Sequence, residues 1–101
     1  MVNPEIAPNE NAKEFDLRIR RAKALAQIVA ERDRAESAHG YDLEHDQQHS
    51  AGDFATYIDT YVARLKTQLS AHDDPKTILQ NAESTMCKIG GLVLAYLQSR
   101  D

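Results

Sequence analysis

The sequence has 101 residues, 42% apolar and 28% charged, which is the composition of a folded domain rather than of a disordered chain. Two Phe, four Tyr and no Trp leave aliphatic residues and alanine to build one small core. A formal charge of −4 with acids and bases interspersed argues against a dedicated nucleic-acid binder, which needs a basic face to displace counterions.

Residues 1–10 (MVNPEIAPNE) carry Pro4 and Pro8 without periodicity and are expected to be a flexible N-terminal arm. They lack the basic flank and apolar stretch of a signal peptide. The remaining chain, 11–101, is expected to form a single all-α domain: a three-helix bundle or a helical hairpin, with a short extra helix in the 40–53 linker.

The first helix, about 11–39, opens at Asn11, whose side chain can cap the first turn while Glu14 reaches back to the cap N–H. Phe15, Ile19, Ala22, Ala26 and Val29 recur at helical spacing, widened by Leu25 and Ile28. Glu14 with Arg18, and Asp16 with Arg20, are favourable i,i+4 pairs, so the cluster Arg18, Arg20, Arg21 and Lys23 reads as a solvated face before an anion site. Gly40 suits a left-handed helix end.

Residues 40–53 read GYDLEHDQQHSAGD and hold three of the four histidines. With Asp42 as cap, LEHDQQHS can form one to two turns that project His45 and His49 from one face. His45, Asp46 and His49 are then candidate ligands for a divalent transition metal, with Asp42, Glu44 or Asp53 completing the sphere and His39 as a further nitrogen. HDQQH resembles the zincin motif only loosely, since Asp46 stands where a longer Glu base belongs. The competing reading is a strut, in which these acids and imidazoles satisfy helix ends while Tyr41 and Leu43 plug onto the bundle. On either reading Tyr41, Asp42, Glu44, His45, Asp46, His49 and Asp53 form the candidate binding site. No residue is assigned a catalytic role, and no cofactor is required.

The second long helix, about 53–72, is expected to start at Asp53 and to bury Phe54, Ile58, Tyr61, Leu65 and Leu69, flanked by Tyr57 and Val62. Asp74-Pro75 restarts the chain, with Asp as cap and Pro at the first helical position. The last helix, about 75–98, is expected to bury Ile78, Leu79, Ala82, Met86, Ile89, Val93 and Leu97. Its Gly90-Gly91 pair costs about 2 kcal/mol against alanine, which close approach of another helix would offset. Gly90, Gly91, Val93, Leu94 and Leu97 are therefore candidates for a packing or oligomer interface. Cys87, alone in an apolar run, allows no internal disulfide and suits a reducing cytosol. No run approaches the roughly 20 apolar residues that span a bilayer.

Three blocks carry a resemblance. They are Glu31-Arg32-Asp33-Arg34, the stretch from Gly40 through Glu44-His45-Asp46 and His49 to Gly52-Asp53-Phe54, and Lys88-Ile89-Gly90-Gly91-Leu92-Val93-Leu94-Ala95. Over residues 31–97 the chain resembles small phage and prophage proteins of unassigned function that carry a G-(W/Y)-x-x-EHD-x-x-H-x-x-G block. The resemblance implies a phage-related accessory protein acting in the cytoplasm of an infected bacterium, with no site residues to carry over.

Three functions follow as expectations. The first is a non-enzymatic, oligomeric protein that binds and modulates a bacterial or phage protein, including as an inhibitor of a host defence or nucleic-acid-processing system. The second is a metal-dependent hydrolase of a nucleotide-like substrate using His45, Asp46 and His49, with Glu44 or Asp53 as base. The third is a small-nucleotide sponge using Arg18, Arg21 or Lys23 with Tyr41 stacking between subunits.

Overall fold

The computed structural model describes residues 11–100. The expected N-terminal arm lies outside the described residues. Four helices follow in order: α1 Ala12–His39, α2 Leu43–Gln47, α3 Ala51–Leu69 and α4 Pro75–Ser99, with no strand among the described residues. The chain is all-α, a helical bundle with a short helix in the linker.

The ends of the helices follow local chemistry. Asn11 accepts from the Glu14 N–H at 2.9 Å and Glu14 accepts from the Asn11 N–H at 3.4 Å, the reciprocal pair that the spacing predicts. Gly40 closes α1 at φ 70°, a left-handed conformation that a side chain would strain, and donates its N–H to the Glu36 carbonyl at 2.9 Å. Asp42 caps α2 by accepting from the His45 N–H at 2.9 Å. Asp74 caps α4, with Pro75 in its first turn. Both boundaries of α3 differ: it begins two residues earlier than the sequence suggests and ends at Leu69, three residues earlier. Ser50 is its cap, and Asp53 sits three residues in, returning a bond to the Ser50 N–H. Serine and aspartate both cap well, and here the residue that could recruit an acid three positions on prevails.

α4 is the hub. It packs against α1, α2 and α3, whereas α1 and α3 make no close backbone approach to each other. The buried residues of α4 are all small: Ala82, Thr85, Gly91, Ala95 and Ser99. Small side chains let its neighbours come close. At Gly90 an added Cβ would lie 3.0 Å from Ile28 Cδ1, and at Gly91 it would lie 3.7 Å from Glu31 Cγ, so α1 of the same chain supplies the close approach.

This arrangement corrects the expected core. Leu79, Met86, Val93 and Leu97 of α4 are exposed, as are Ala22, Leu25, Ala26 and Val29 of α1 and Leu69 of α3. Only Phe54, Ala82 and Ala95 are buried apolar residues among those described. Helical periodicity identifies a stripe but not the neighbour that covers it. The radius of gyration, 16.6 Å, exceeds the ~13 Å of a compact chain of 100 residues, so the arrangement is open.

Candidate functional site

The linker block is held by an ion pair that spans it. Arg32 lies on the face of α1 that also carries Ile28 and Ala35, and points inward beneath α2. Its guanidinium donates to Asp46 Oδ2 and to the Tyr41 carbonyl. The two side chains are only 7% and 3% exposed, so the pair is desolvated and each partner depends on the other. Thus Asp46 ties α2 down, while the Tyr41 carbonyl fixes the turn between α1 and α2. Among the described residues no buried side-chain nitrogen or oxygen lacks a partner.

A second tie runs beside it. Glu31 Oε1 accepts from Lys88 Nζ of α4 at 3.1 Å and from Arg34 Nη2 at 2.6 Å. Its carboxyl is held below the ordinary glutamate value by Arg34 first and then by Lys88, against an opposing push from partial burial. The three blocks that carry the resemblance therefore meet in space. Arg32 joins the first to the second through Asp46, and Glu31 joins the first to the third through Lys88.

Over this base runs a chain of rings. His39 and Tyr41 have centroids 5.2 Å apart, Tyr41 stacks on His45 at 5.0 Å, and His45 meets His49 at 4.7 Å. His49 meets the edge of Tyr57 at 5.7 Å, and Phe54 continues the series to Tyr96 at 5.5 Å. His49 Nδ1 lies 3.3 Å from both Asp53 Oδ2 and the Tyr57 hydroxyl. The Asp53 carboxyl is held below its ordinary value, chiefly by the Ser50 backbone N–H and then by His49.

These rings and the facing side of α3 enclose a cleft of about 360 Å³. Tyr41, His45 and His49 line it from the linker, Phe54, Tyr57, Thr60, Tyr61 and Arg64 from α3, and Leu92 from α4. The Arg64 guanidinium sits 4.8 Å from the centre of the Tyr61 ring. Stacking on tyrosine holds that cation among the residues that line the cleft.

Of the residues expected in the site, Tyr41, His45, Asp46 and His49 line the cleft. Asp42 and Asp53 serve the helix caps. Glu44 and Leu43 are exposed on the outer side of α2. Arg18 and Arg21 line a separate groove on α1, so within one chain they do not meet Tyr41.

The metal set can be tested on its donors. His45 and His49 are brought together, but the Asp46 carboxylate faces Arg32 and reaches only His45 Nδ1, at 3.3 Å. No group of three or more His, Cys, Asp or Glu side chains converges among the described residues. The arrangement does not fit a three-ligand centre, and no chemistry is derived through one.

Arg32, Tyr57, Thr60, Tyr61 and Arg64 complete the site and are not among the site residues expected from the sequence, where Arg32 enters only within a resemblance block and Tyr57 and Tyr61 only with the packing stripe. Arg32 had a signal: a cation one turn after Ile28 on an apolar face requires a buried partner. The α3 wall had none, because Tyr57 and Tyr61 read equally well as core.

Comparison with protein-family models, curated proteins and solved structures returned no match. No helix among the described residues is long and apolar enough to cross a membrane.

Proposed function

We propose that this chain is a non-enzymatic accessory protein that binds a protein partner through the cleft between α2 and α3. One observation carries the reading. Asp46 is committed to Arg32 and Asp42 and Asp53 to helix caps, and Glu44 is exposed and does not line the cleft, while the rings are left lining it. Tyrosine and arginine are the residues that most often anchor protein–protein contacts, because they bring large rigid area and directed hydrogen bonds. An aliphatic or aromatic side chain of the partner would fill the cleft, with a carboxylate beside it reaching Arg64. The resemblance supplies the setting: a bacterial or phage protein in an infected cell, with inhibition of a defence or nucleic-acid-processing system as the finer form.

The test is affinity capture from infected and uninfected lysates with the parent chain and with Tyr57→Ala and Tyr61→Ala. Loss of a central aromatic anchor costs about 2 kcal/mol or more, roughly 30-fold in affinity. A partner held by the parent and lost by both variants supports the cleft. Retention indifferent to both, or no retained partner, removes the proposal.

The same rings and cation would also suit a nucleotide, with its base between tyrosines and a phosphate on Arg64. A thermal-shift panel separates the two readings, since a ligand at 100 times its Kd stabilises by about 2.7 kcal/mol.

A further inference from the structure

The cleft does not end at its rings. A second hollow of about 110 Å³ lies against it, and the two share Arg32, Tyr41, Tyr61 and Leu92 as lining. What the hollow adds is charge: Glu31 and Arg34 from α1, Lys88 from α4 and the His39 ring. It is smaller than the ~150 Å³ that holds a benzene ring, so it takes a compact polar group where the cleft takes a large apolar one.

The charge of the joined surface is not balanced. Arg32, Arg34, Arg64 and Lys88 meet only two lining acids, Glu31 and Asp46, on a chain whose formal charge is −4. Asp42 and Asp53 of the same linker are turned to the backbone N–H groups of His45 and Ser50. Asp46 is taken up by Arg32. Arg64 is exposed, stacks on Tyr61 and has no carboxylate partner among the described residues.

In the hollow, two cations share one acid. Arg34 donates to Glu31 through Nε at 3.0 Å and through Nη2 at 2.6 Å, and Lys88 donates to it at 3.1 Å. Cleft and hollow therefore each hold one positive charge more than their own acids neutralise. The fork of Arg34 on Glu31 also shows the kind of group this place grips, since paired N–H donors match the two oxygens of a carboxylate.

We propose that the partner segment seated here is an acidic peptide: a large aliphatic or aromatic side chain enters the cleft, one carboxylate pairs with Arg64, and a second joins Glu31 between Arg34 and Lys88. The inference rests on the reading of the cleft as a protein-binding site and adds the charge pattern of what binds. Glu31 then competes with the partner's own carboxylate. Loss of a cation should weaken binding and loss of Glu31 should strengthen it, an opposition that a merely structural role for these residues does not produce.

A phage-displayed library of random dodecapeptides, selected on the full chain and counter-selected on Tyr57→Ala/Tyr61→Ala, tests both levels. The peptides expected are lost on the tyrosine variant and enriched in Asp and Glu around a large apolar residue. The best of them is then titrated by fluorescence anisotropy at low salt against single and paired variants. Arg64→Gln and Arg34→Gln should each weaken it by about 3- to 5-fold, the range of partly exposed ion pairs, and Glu31→Gln should tighten it by about the same factor. Arg34→Gln/Glu31→Gln should return to the parent value, because the hollow again holds a single unmatched cation. Should Glu31→Gln lose its helical circular dichroism, Arg34→Gln and Arg64→Gln carry the test, both side chains being exposed. Peptides that need the tyrosines but show no excess of acids overturn the acidic pattern and leave the cleft as a binding site. Unchanged or weaker binding by a folded Glu31→Gln overturns the seat of the second carboxylate. Peptides indifferent to the tyrosines, or none recovered, remove the inference and the cleft reading together, and stabilisation by ATP in that case gives the site to a nucleotide.

Discussion

Replacing Gly90 and Gly91 by alanine, one at a time, should give effects of opposite sign although the residues are neighbours in one helix. Alanine in place of a helical glycine contributes about 1 kcal/mol, because the unfolded chain loses fewer conformations. At Gly91 nothing opposes that gain: the new Cβ would sit 3.7 Å from Glu31 Cγ and 3.9 Å from the Arg32 backbone nitrogen, ordinary contact distances. Gly91→Ala should therefore stabilise by up to about 1 kcal/mol and raise Tm by about 4–8 °C. At Gly90 the Cβ would meet Ile28 Cδ1 at 3.0 Å and Cγ1 at 3.1 Å, closer than carbons normally pack. Overpacking of this kind costs about 1–3 kcal/mol, so the net effect of Gly90→Ala is a loss of about 0–2 kcal/mol. The cause is one side chain, which makes the reasoning separable. In an Ile28→Ala background Gly90→Ala should become stabilising by about 1 kcal/mol. Urea unfolding of the parent, Gly90→Ala, Gly91→Ala, Ile28→Ala and the Ile28→Ala/Gly90→Ala double variant gives all the terms. Equal effects at both glycines, or a Gly90→Ala cost that persists without Ile28, would refute the account of how α1 crosses α4.

Three further outcomes follow. Arg32→Met leaves the Asp46 carboxylate buried without a partner and should cost about 3–5 kcal/mol, whereas Arg32→Met with Asp46→Leu should cost much less than the two single changes added; additivity in urea unfolding would contradict the pairing. Acid should destabilise the fold: Glu31 and Asp53 are held below their ordinary values of 4.5 and 3.8, so their contribution is present above those values and is lost as pH falls through the lowered ones. Glu31→Gln should flatten part of that acid limb in urea titrations at stepped pH, and an unchanged slope would refute it. Thr85→Val removes the hydroxyl that donates to Gln68 Oε1 at 2.7 Å across α3 and α4, and should cost about 1 kcal/mol, read as a Tm lower by about 4–8 °C.

Much of the fold was legible because its determinants are local. The Asn11–Glu14 box, the Gly40 stop, the Asp42 cap and the Asp74-Pro75 restart each act within four residues, and each appears where the spacing places it. The short linker helix followed from Asp42 and the composition after it. Long-range facts were not legible. Arg32 and Asp46 are 14 positions apart, and no periodicity links them. The stripes that run through Leu79–Leu97 of α4 and Ala22–Val29 of α1 were visible, but not that much of each lies exposed on this chain, since a stripe records apolar spacing and not its neighbour. Of the candidate site, the linker wall was legible from its histidines and Tyr41. The α3 wall was not, because Tyr57 and Tyr61 carry no mark that separates a cleft from a core.

On the proposed function the linker block is a pinned binding wall rather than a metal centre. Native mass spectrometry of the full chain, purified without added metal or chelator, tests this most directly when run beside His45→Ala/His49→Ala. The expected result is the same assembled mass for both proteins, apart from the substituted side chains. An ion held tightly by the parent and absent from the variant would contradict the account and place coordination chemistry at His45 and His49.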